Sequence, residues 1–221
     1  MEPVPFNITS VLNHFEESLT PDQRDVNLTK YVNAFDELSR LFSMLGVVFS
    51  FVETDVTDKI RILRTLHDTN SVNYNTVLEM IDYECYEIPD TGDQRKRRPE
   101  PSASGTRTLL RLHRSLDFLA IFITSVQQSS PDDSSVPEIF RASYHKSLSE
   151  HHTWFVRKSV QLASYAMPSR KKLLSIIFDS DEENLDEAHV KEMCDRFSET
   201  MKHVYDRVQS MYKEADLLSL P

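Results

Sequence analysis

Apolar positions along this chain recur at steps of three and four, and no stretch sustains alternation at steps of two. The clearest run spans about Leu28 to Val52. Phe35, Leu38, Phe42, Leu45, Phe49 and Val52 trace one face there, with Leu41, Met44, Val48 and Phe51 as a second stripe beside it. That spacing predicts a helix, and an arc this wide predicts one in the middle of a helical stack. A second helix is expected after Thr54 (Ile60, Leu63, Leu66), a third over about 74–86 and a fourth over 106–126, where Leu109, Leu112, Leu116 and Leu119 share a face. Further helices are expected over about 138–148, 153–165, 169–178 and 186–217. The pattern predicts an all-α protein of one domain with about eight helices and no sheet.

Prolines and polar runs mark the joints. Residues 89–105 combine three prolines with Gly92, Gly105 and the basic run Arg95-Lys96-Arg97-Arg98. Residues 129–137 form a loop of serine, aspartate and proline, and 179–187 is rich in acids, as suits a solvated turn and a helix start. The N-terminal Met-Glu-Pro-Val-Pro-Phe has neither the basic nor the apolar region of a signal peptide. The longest apolar run, Met44 to Phe49, is too short to span a bilayer.

Composition narrows the function. The 221 residues carry 25 Lys+Arg against 35 Asp+Glu, a net charge of −10, which disfavours nucleic acid as a partner. Only 3 glycines occur, too few and too scattered for a dinucleotide fingerprint or a Walker loop. The 2 cysteines, Cys85 and Cys194, are far apart in acidic surroundings, and are expected to be structural thiols in a reduced cytoplasmic protein.

Three groupings could carry chemistry. Asp55 and Lys59 stand i, i+4, and Asp55 extends the stripe of Leu41, Met44, Val48 and Phe51, so that an acid and a base could crown an apolar channel. An ordinary surface ion pair has the same spacing. Arg107 and Arg111 repeat the interval, with Arg114 a turn further on. Paired guanidiniums beside a leucine stripe suit a phosphate, and they suit a solvated basic face as well. His151 and His152 lie at a helix start before Trp154, the sole tryptophan. They lack the further ligands a metal needs, so no metal is expected, and a capping or ligand-bonding histidine is the simpler expectation. Trp154 fits either a core position or a membrane interface, where an indole is half solvated.

These segments resemble the glycolipid transfer protein family, and within it the branch that carries ceramide-1-phosphate. The resemblance lies in Leu-Gly-Val-Val-Phe-Ser-Phe-Val with Asp55-Val-Thr-Asp-Lys59, Ser-Gly-Thr-Arg107-Thr-Leu-Leu-Arg111-Leu-His-Arg, His152-Thr-Trp154-Phe-Val-Arg157, Pro-Ser-Arg170, and the closing Ala-Asp-Leu-Leu-Ser-Leu-Pro. All five occur in family order along nearly the whole chain. The resemblance implies a two-layer helical sandwich enclosing a pocket for one sphingolipid, with Asp55, Lys59, Arg107, Arg111 and His152 at the head group. Where glycolipid-selective members place a tryptophan for sugar stacking, this chain has Arg111, and Lys59 replaces their asparagine. His152-Thr-Trp154 departs from the family's common His-Pro-Trp.

The residues fit such a ligand chemically. Asp55 can accept from a ceramide amide N–H and hydroxyl, His152 can donate to the carbonyl, and three cations meet a phosphomonoester. Two lipid chains in water cost on the order of 20 kcal/mol, at ~0.8 kcal/mol per methylene, and a sleeve of Phe42, Leu45 and Phe49 would remove that cost. The expected activity is carriage of ceramide-1-phosphate by a peripheral membrane protein, monomeric, without cofactor or bond chemistry. Trp154 and Arg95, Lys96, Arg97 and Arg98 are expected to meet the membrane. The alternatives are a sphingolipid sensor acting through a protein partner, a glycolipid-selective carrier, a helical adaptor with a filled core, and a lipid-modifying enzyme using His152 and Asp55.

Overall fold

The structure is a computed structural model and describes residues 5–87, 96–97, 104–130 and 135–221. The described helices are α1 (Ile8–Glu16), α2 (Leu28–Met44), α3 (Ser50–Thr69), α4 (Val77–Cys85), α5 (Ser104–Gln128), α6 (Val136–Ser147), α7 (Trp154–Ser164), α8 (Arg170–Phe178) and α9 (Glu187–Glu214), with short 3-10 turns at Val47–Phe49 and Ser149–His151. They pack as a helical sandwich in which α5 is the hub, touching α3, α4, α6 and α9, while α2 lies against α1, α3 and α8. None of the described helices is long and apolar enough to cross a membrane.

The leucine stripe of α5 accounts for the hub. Leu109, Leu112, Leu116 and Leu119 are all buried, each contributing roughly 1.5–3 kcal/mol against exposure. From the opposite side α9 brings Val190, Cys194, Phe197, Met201, Val204, Val208 and Met211, again at steps of three and four. Both cysteines are buried, and burial pushes the Cys194 thiol up to about 12. Arg170 closes the far end of α5. Its guanidinium donates to the carbonyls of Val126 and Gln127, both at 3.1 Å, and forks onto Glu187 at 2.7 and 2.8 Å. The Pro-Ser-Arg170 motif is therefore a helix C-cap joined to α9, a charge-assisted use of an otherwise buried arginine.

Five expectations need correction. The helix expected over 28–52 breaks at Gly46, whose φ of 97° lies in a region that side chains disfavour. The next helix consequently starts at Ser50, before Thr54. The second stripe does not turn inward: Leu41 is buried, but Met44 at the end of α2 is exposed, as are Val48 and Phe51 beyond the break. Helix α1, with Val11, Leu12 and Phe15 fully buried, was not anticipated. A minimal antiparallel ladder pairs β1 (Tyr86–Glu87) with β2 (Lys96–Arg97); two residues per strand are too few to show alternation.

Candidate head-group site

Residues from α3, α5 and the turn before α7 form the site. On α3, the i, i+4 spacing brings Lys59 onto Asp55 as an ion pair, and the ammonium also donates to the Asp55 carbonyl at 3.3 Å. The two partners are unequally exposed. The Lys59 side chain retains 13% of its exposure and that of Asp55 retains 67%, so the pair presents a carboxylate rim over a largely covered ammonium.

His152 joins this pair from across the structure. Burial pulls its imidazole below the ordinary value. Asp55 opposes that shift, while His151, Lys59 and Arg114 reinforce it. The ring is thus in electrostatic reach of α3 on one side and α5 on the other. Its backbone is pinned by Arg157, which donates to the carbonyls of His152 at 3.1 Å and Ser149 at 3.3 Å. Thr153 then starts α7 as N-cap, its hydroxyl accepting from the Val156 N–H at 3.5 Å. Its φ of −65° is the value a proline ring enforces, so threonine here keeps the conformation that the common His-Pro-Trp would have and adds a cap.

On α5, Arg107 and Arg111 are both exposed and one helical turn apart. Arg111 donates through Nε to the Pro221 carbonyl at 3.1 Å. Arg114, a turn further on, is half buried, and its guanidinium holds the Leu218 and Leu220 carbonyls at 2.9 and 3.0 Å. The chain turns back onto α5 after Asp216 (φ 55°), and buried Leu217 anchors it there. No spacing rule could have revealed a contact between residues this far apart in sequence. Burial and the neighbouring charge of Arg111 both disfavour the protonated form of Arg114, which ties the two arginines into one field. Asp55, Lys59 and Arg114 thus act on the charge of His152, and Arg111 acts on that of Arg114; Arg107 is exposed on the same helix.

Among the sleeve residues, Phe49 is buried and meets Phe140 edge-on at 6.0 Å, and Phe140 in turn meets Phe118 and Phe122. Phe42 and Leu45 are half buried against the same core. Trp154 is 66% exposed and belongs to no core. It borders a cavity of about 310 Å³ between α6 and α7, lined also by Arg141, Tyr144, His145, Arg157 and Lys158. Phe155, Leu162 and Tyr165 continue an exposed apolar stripe along α7. The basic groove escaped the sequence reading because its charges come from two helices. Arg95 and Arg98 lie outside the described residues, as do the side chains of Lys96 and Arg97.

Comparison with known proteins identifies the family and the fold. Residues 26–179 match the family model described as glycolipid transfer protein (GLTP). The chain is 34% identical over 220 residues to the ceramide-1-phosphate transfer protein of Xenopus laevis, covering 98% of this chain and 97% of that one. The crystal structure of the mouse ceramide-1-phosphate transfer protein in its apo form superposes with a TM-score of 0.81 at 33% identity, covering 98% of this chain and 100% of the mouse chain. The human ceramide-1-phosphate transfer protein in complex with 2:0 ceramide-1-phosphate gives 0.82 at 30% identity, covering 99% and 100%. With the family model matched over more than half of its length and full-length relatives above 30% identity, the chain belongs to the glycolipid transfer protein family.

Proposed function

We propose that this chain carries ceramide-1-phosphate between membranes, its head group held by Asp55, Lys59, Arg107, Arg111 and His152 and its chains by the apolar interior beside Phe42, Leu45 and Phe49. The observation that carries the proposal is the Asp55–Lys59 ion pair with His152 in its electrostatic reach, and Arg114 joining that histidine to Arg111 on α5. The names of the full-length relatives support the choice of lipid. Asp55 accepts from the amide N–H and hydroxyl, His152 donates to the amide carbonyl, and Lys59, Arg107 and Arg111 meet the phosphate. The reading needs no bond made or broken, so the protein acts as a carrier and not as an enzyme. The exposed Trp154, Phe155 and Leu162 on α7 and Tyr165 at its C-cap support docking on a membrane surface, with the basic residues of the neighbouring groove drawn to anionic lipid.

A vesicle-to-vesicle transfer assay run with ceramide-1-phosphate and with glucosylceramide tests this. Transfer of the phosphorylated lipid alone is expected. Equal transfer of both, or transfer of glucosylceramide only, would overturn the head-group assignment.

A further inference from the structure

His152 has two ring nitrogens, and what it can read depends on which carries the proton. The answer lies with Tyr144, on α6, a buried residue whose hydroxyl is 2.8 Å from His152 Nδ1. The two rings are tilted by 34° with centroids 5.6 Å apart, so the contact runs through the polar atoms and is not a stack.

The direction of this bond follows from burial. A phenol has one proton to donate, and a buried donor left without an acceptor costs about 1–3 kcal/mol. Among the described residues, His152 Nδ1 is the acceptor recorded for the Tyr144 hydroxyl. Were Nδ1 to carry the proton, two donors would face each other, or the phenol proton would turn away toward a cavity whose Arg141, Arg157 and Lys158 are donors themselves. The hydroxyl therefore donates and the Nδ1 lone pair accepts. Burial pushes the Tyr144 phenol up to about 12, which keeps the donating proton in place. The ring's remaining polar atom, Nε2, is then the one that bears hydrogen.

We propose that Tyr144 is a positioning residue that locks His152 as its Nε2–H tautomer, making the ring an obligate donor to a carbonyl acceptor, the ceramide amide of the bound lipid. The proposal rests on the head-group reading above and deepens it. A free rotor or the other tautomer would offer a bare nitrogen to the amide carbonyl, two acceptors facing one another. Arg157 and the Thr153 cap hold the backbone, and Tyr144 holds the ring.

The test uses Tyr144→Phe, which keeps the ring and removes only the hydroxyl. Two readouts are needed. The first is side-chain ¹⁵N NMR of His152 in the wild-type protein, where protonated Nε2 and bare Nδ1 are expected; a protonated Nδ1 would overturn the proposal whether or not the variant folds. The second is binding of two lipids by wild type and variant: ceramide-1-phosphate, and dihexadecyl phosphate, which has the phosphate and two chains but no amide. Tyr144→Phe is expected to weaken ceramide-1-phosphate about three- to tenfold, as for one neutral hydrogen bond, and to leave dihexadecyl phosphate unchanged. Equal weakening of both lipids would mean a scaffold role and overturn the proposal. A wild-type preference for ceramide-1-phosphate that survives Tyr144→Phe would overturn the proposal alone. Equal binding of the two lipids by wild type would overturn the amide reading and the proposal with it.

Discussion

The Nε of Arg111 donates to the carbonyl oxygen of Pro221 at 3.1 Å, across 110 positions of sequence. One of the five N–H groups of Arg111 thus serves the returning C-terminal turn, and among the described residues the terminal amines of the fork have no partner to keep them from an anion. Arg114 spends its guanidinium differently, on the carbonyls of Leu218 and Leu220. Two arginines three positions apart on one helix thus make unequal contacts, and on the proposed reading Arg111 serves the ligand while Arg114 serves the architecture.

That division gives the first prediction. Arg111→Leu should nearly abolish ceramide-1-phosphate transfer while barely moving the urea midpoint, since removing one charged partner of a bound phosphate costs about 2–5 kcal/mol of binding. Arg114→Leu should do the reverse in the first instance. Loss of two charge-assisted bonds from a half-buried group, at about 1.5–3 kcal/mol each at most, should lower the urea midpoint and raise amide exchange over residues 217–221. An Arg114→Leu protein of unchanged midpoint would show that the turn is held by Leu217 alone.

Trp154 gives the second. Two-thirds exposed at the start of α7, it has little to lose on truncation, so Trp154→Ala should leave thermal unfolding within about 0.5 kcal/mol of wild type. Adsorption to vesicles containing anionic phospholipid should fall, most at high salt where the attraction of the basic groove is screened and no longer compensates. Sedimentation of the variant with such vesicles to the wild-type extent would remove Trp154 from the docking surface.

Most of the helices were legible because their signal is local. The stripe of Leu109, Leu112, Leu116 and Leu119 needs only a step of three or four, and all four side chains are buried as that step requires. The same rule failed between Leu41 and Phe51, where a single positive φ at Gly46 resets the phase and turns Val48 and Phe51 outward. Lys59 and Asp55 were readable as a pair from their interval alone. Tyr144 and the role of Arg114 were not, since each is defined by a partner reached through a reversal of the chain. His113 is hidden for another reason: it sits inside the leucine stripe of α5, where an apolar periodicity masks a polar residue.

His113 supplies the third prediction. It is fully buried, stacked on Tyr205 at 4.3 Å, 3.3 Å from the Tyr31 hydroxyl through Nδ1 and 3.1 Å from Gln209 Oε1 through Nε2. Burial pulls its pKa down to about 3, with the Gln209 bond opposing and the charge of Arg114 adding. The unfolded chain takes up a proton near pH 6.5 that the folded one refuses, so stability is lost as pH falls from about 6.5 toward 3. The slope from this one group is about 1.4 kcal/mol per pH unit. Unfolding free energies between pH 6.5 and 5, above the range of the paired carboxylates, should therefore fall with acid in wild type and more shallowly in His113→Gln. Parallel slopes would place the acid sensitivity elsewhere.

The last prediction concerns what holds the arginine row in place. Arg107 follows the first turn of α5, and that turn is bound by one buried carboxylate from α4. Glu84 Oε1 accepts from the Gly105 N–H at 2.7 Å and the Tyr74 hydroxyl at 3.0 Å, and its Oε2 accepts from the Thr106 N–H at 2.9 Å and the Thr106 hydroxyl at 2.8 Å. A negative charge at a helix N-terminus is favoured by the free N–H groups and the helix dipole together. The fit leaves no room for a side chain at Gly105, where a Cβ would lie 2.8 Å from both Glu84 Oε1 and Met80 Sδ. From α9, Tyr212 donates to the Thr106 carbonyl at 2.8 Å, so three helices converge on this turn. Glu84→Gln keeps the shape but halves the acceptors, and its amide nitrogen would face N–H or O–H groups that also need to donate. The expected loss is about 2–5 kcal/mol of stability, with faster amide exchange at residues 105–108. Because Arg107 is next to the loosened turn and Arg111 is a full turn deeper, weakening of ceramide-1-phosphate binding in Glu84→Gln should vanish when Arg107 is already leucine. Additive losses in the double variant would show that Glu84 supports the fold without orienting the arginine.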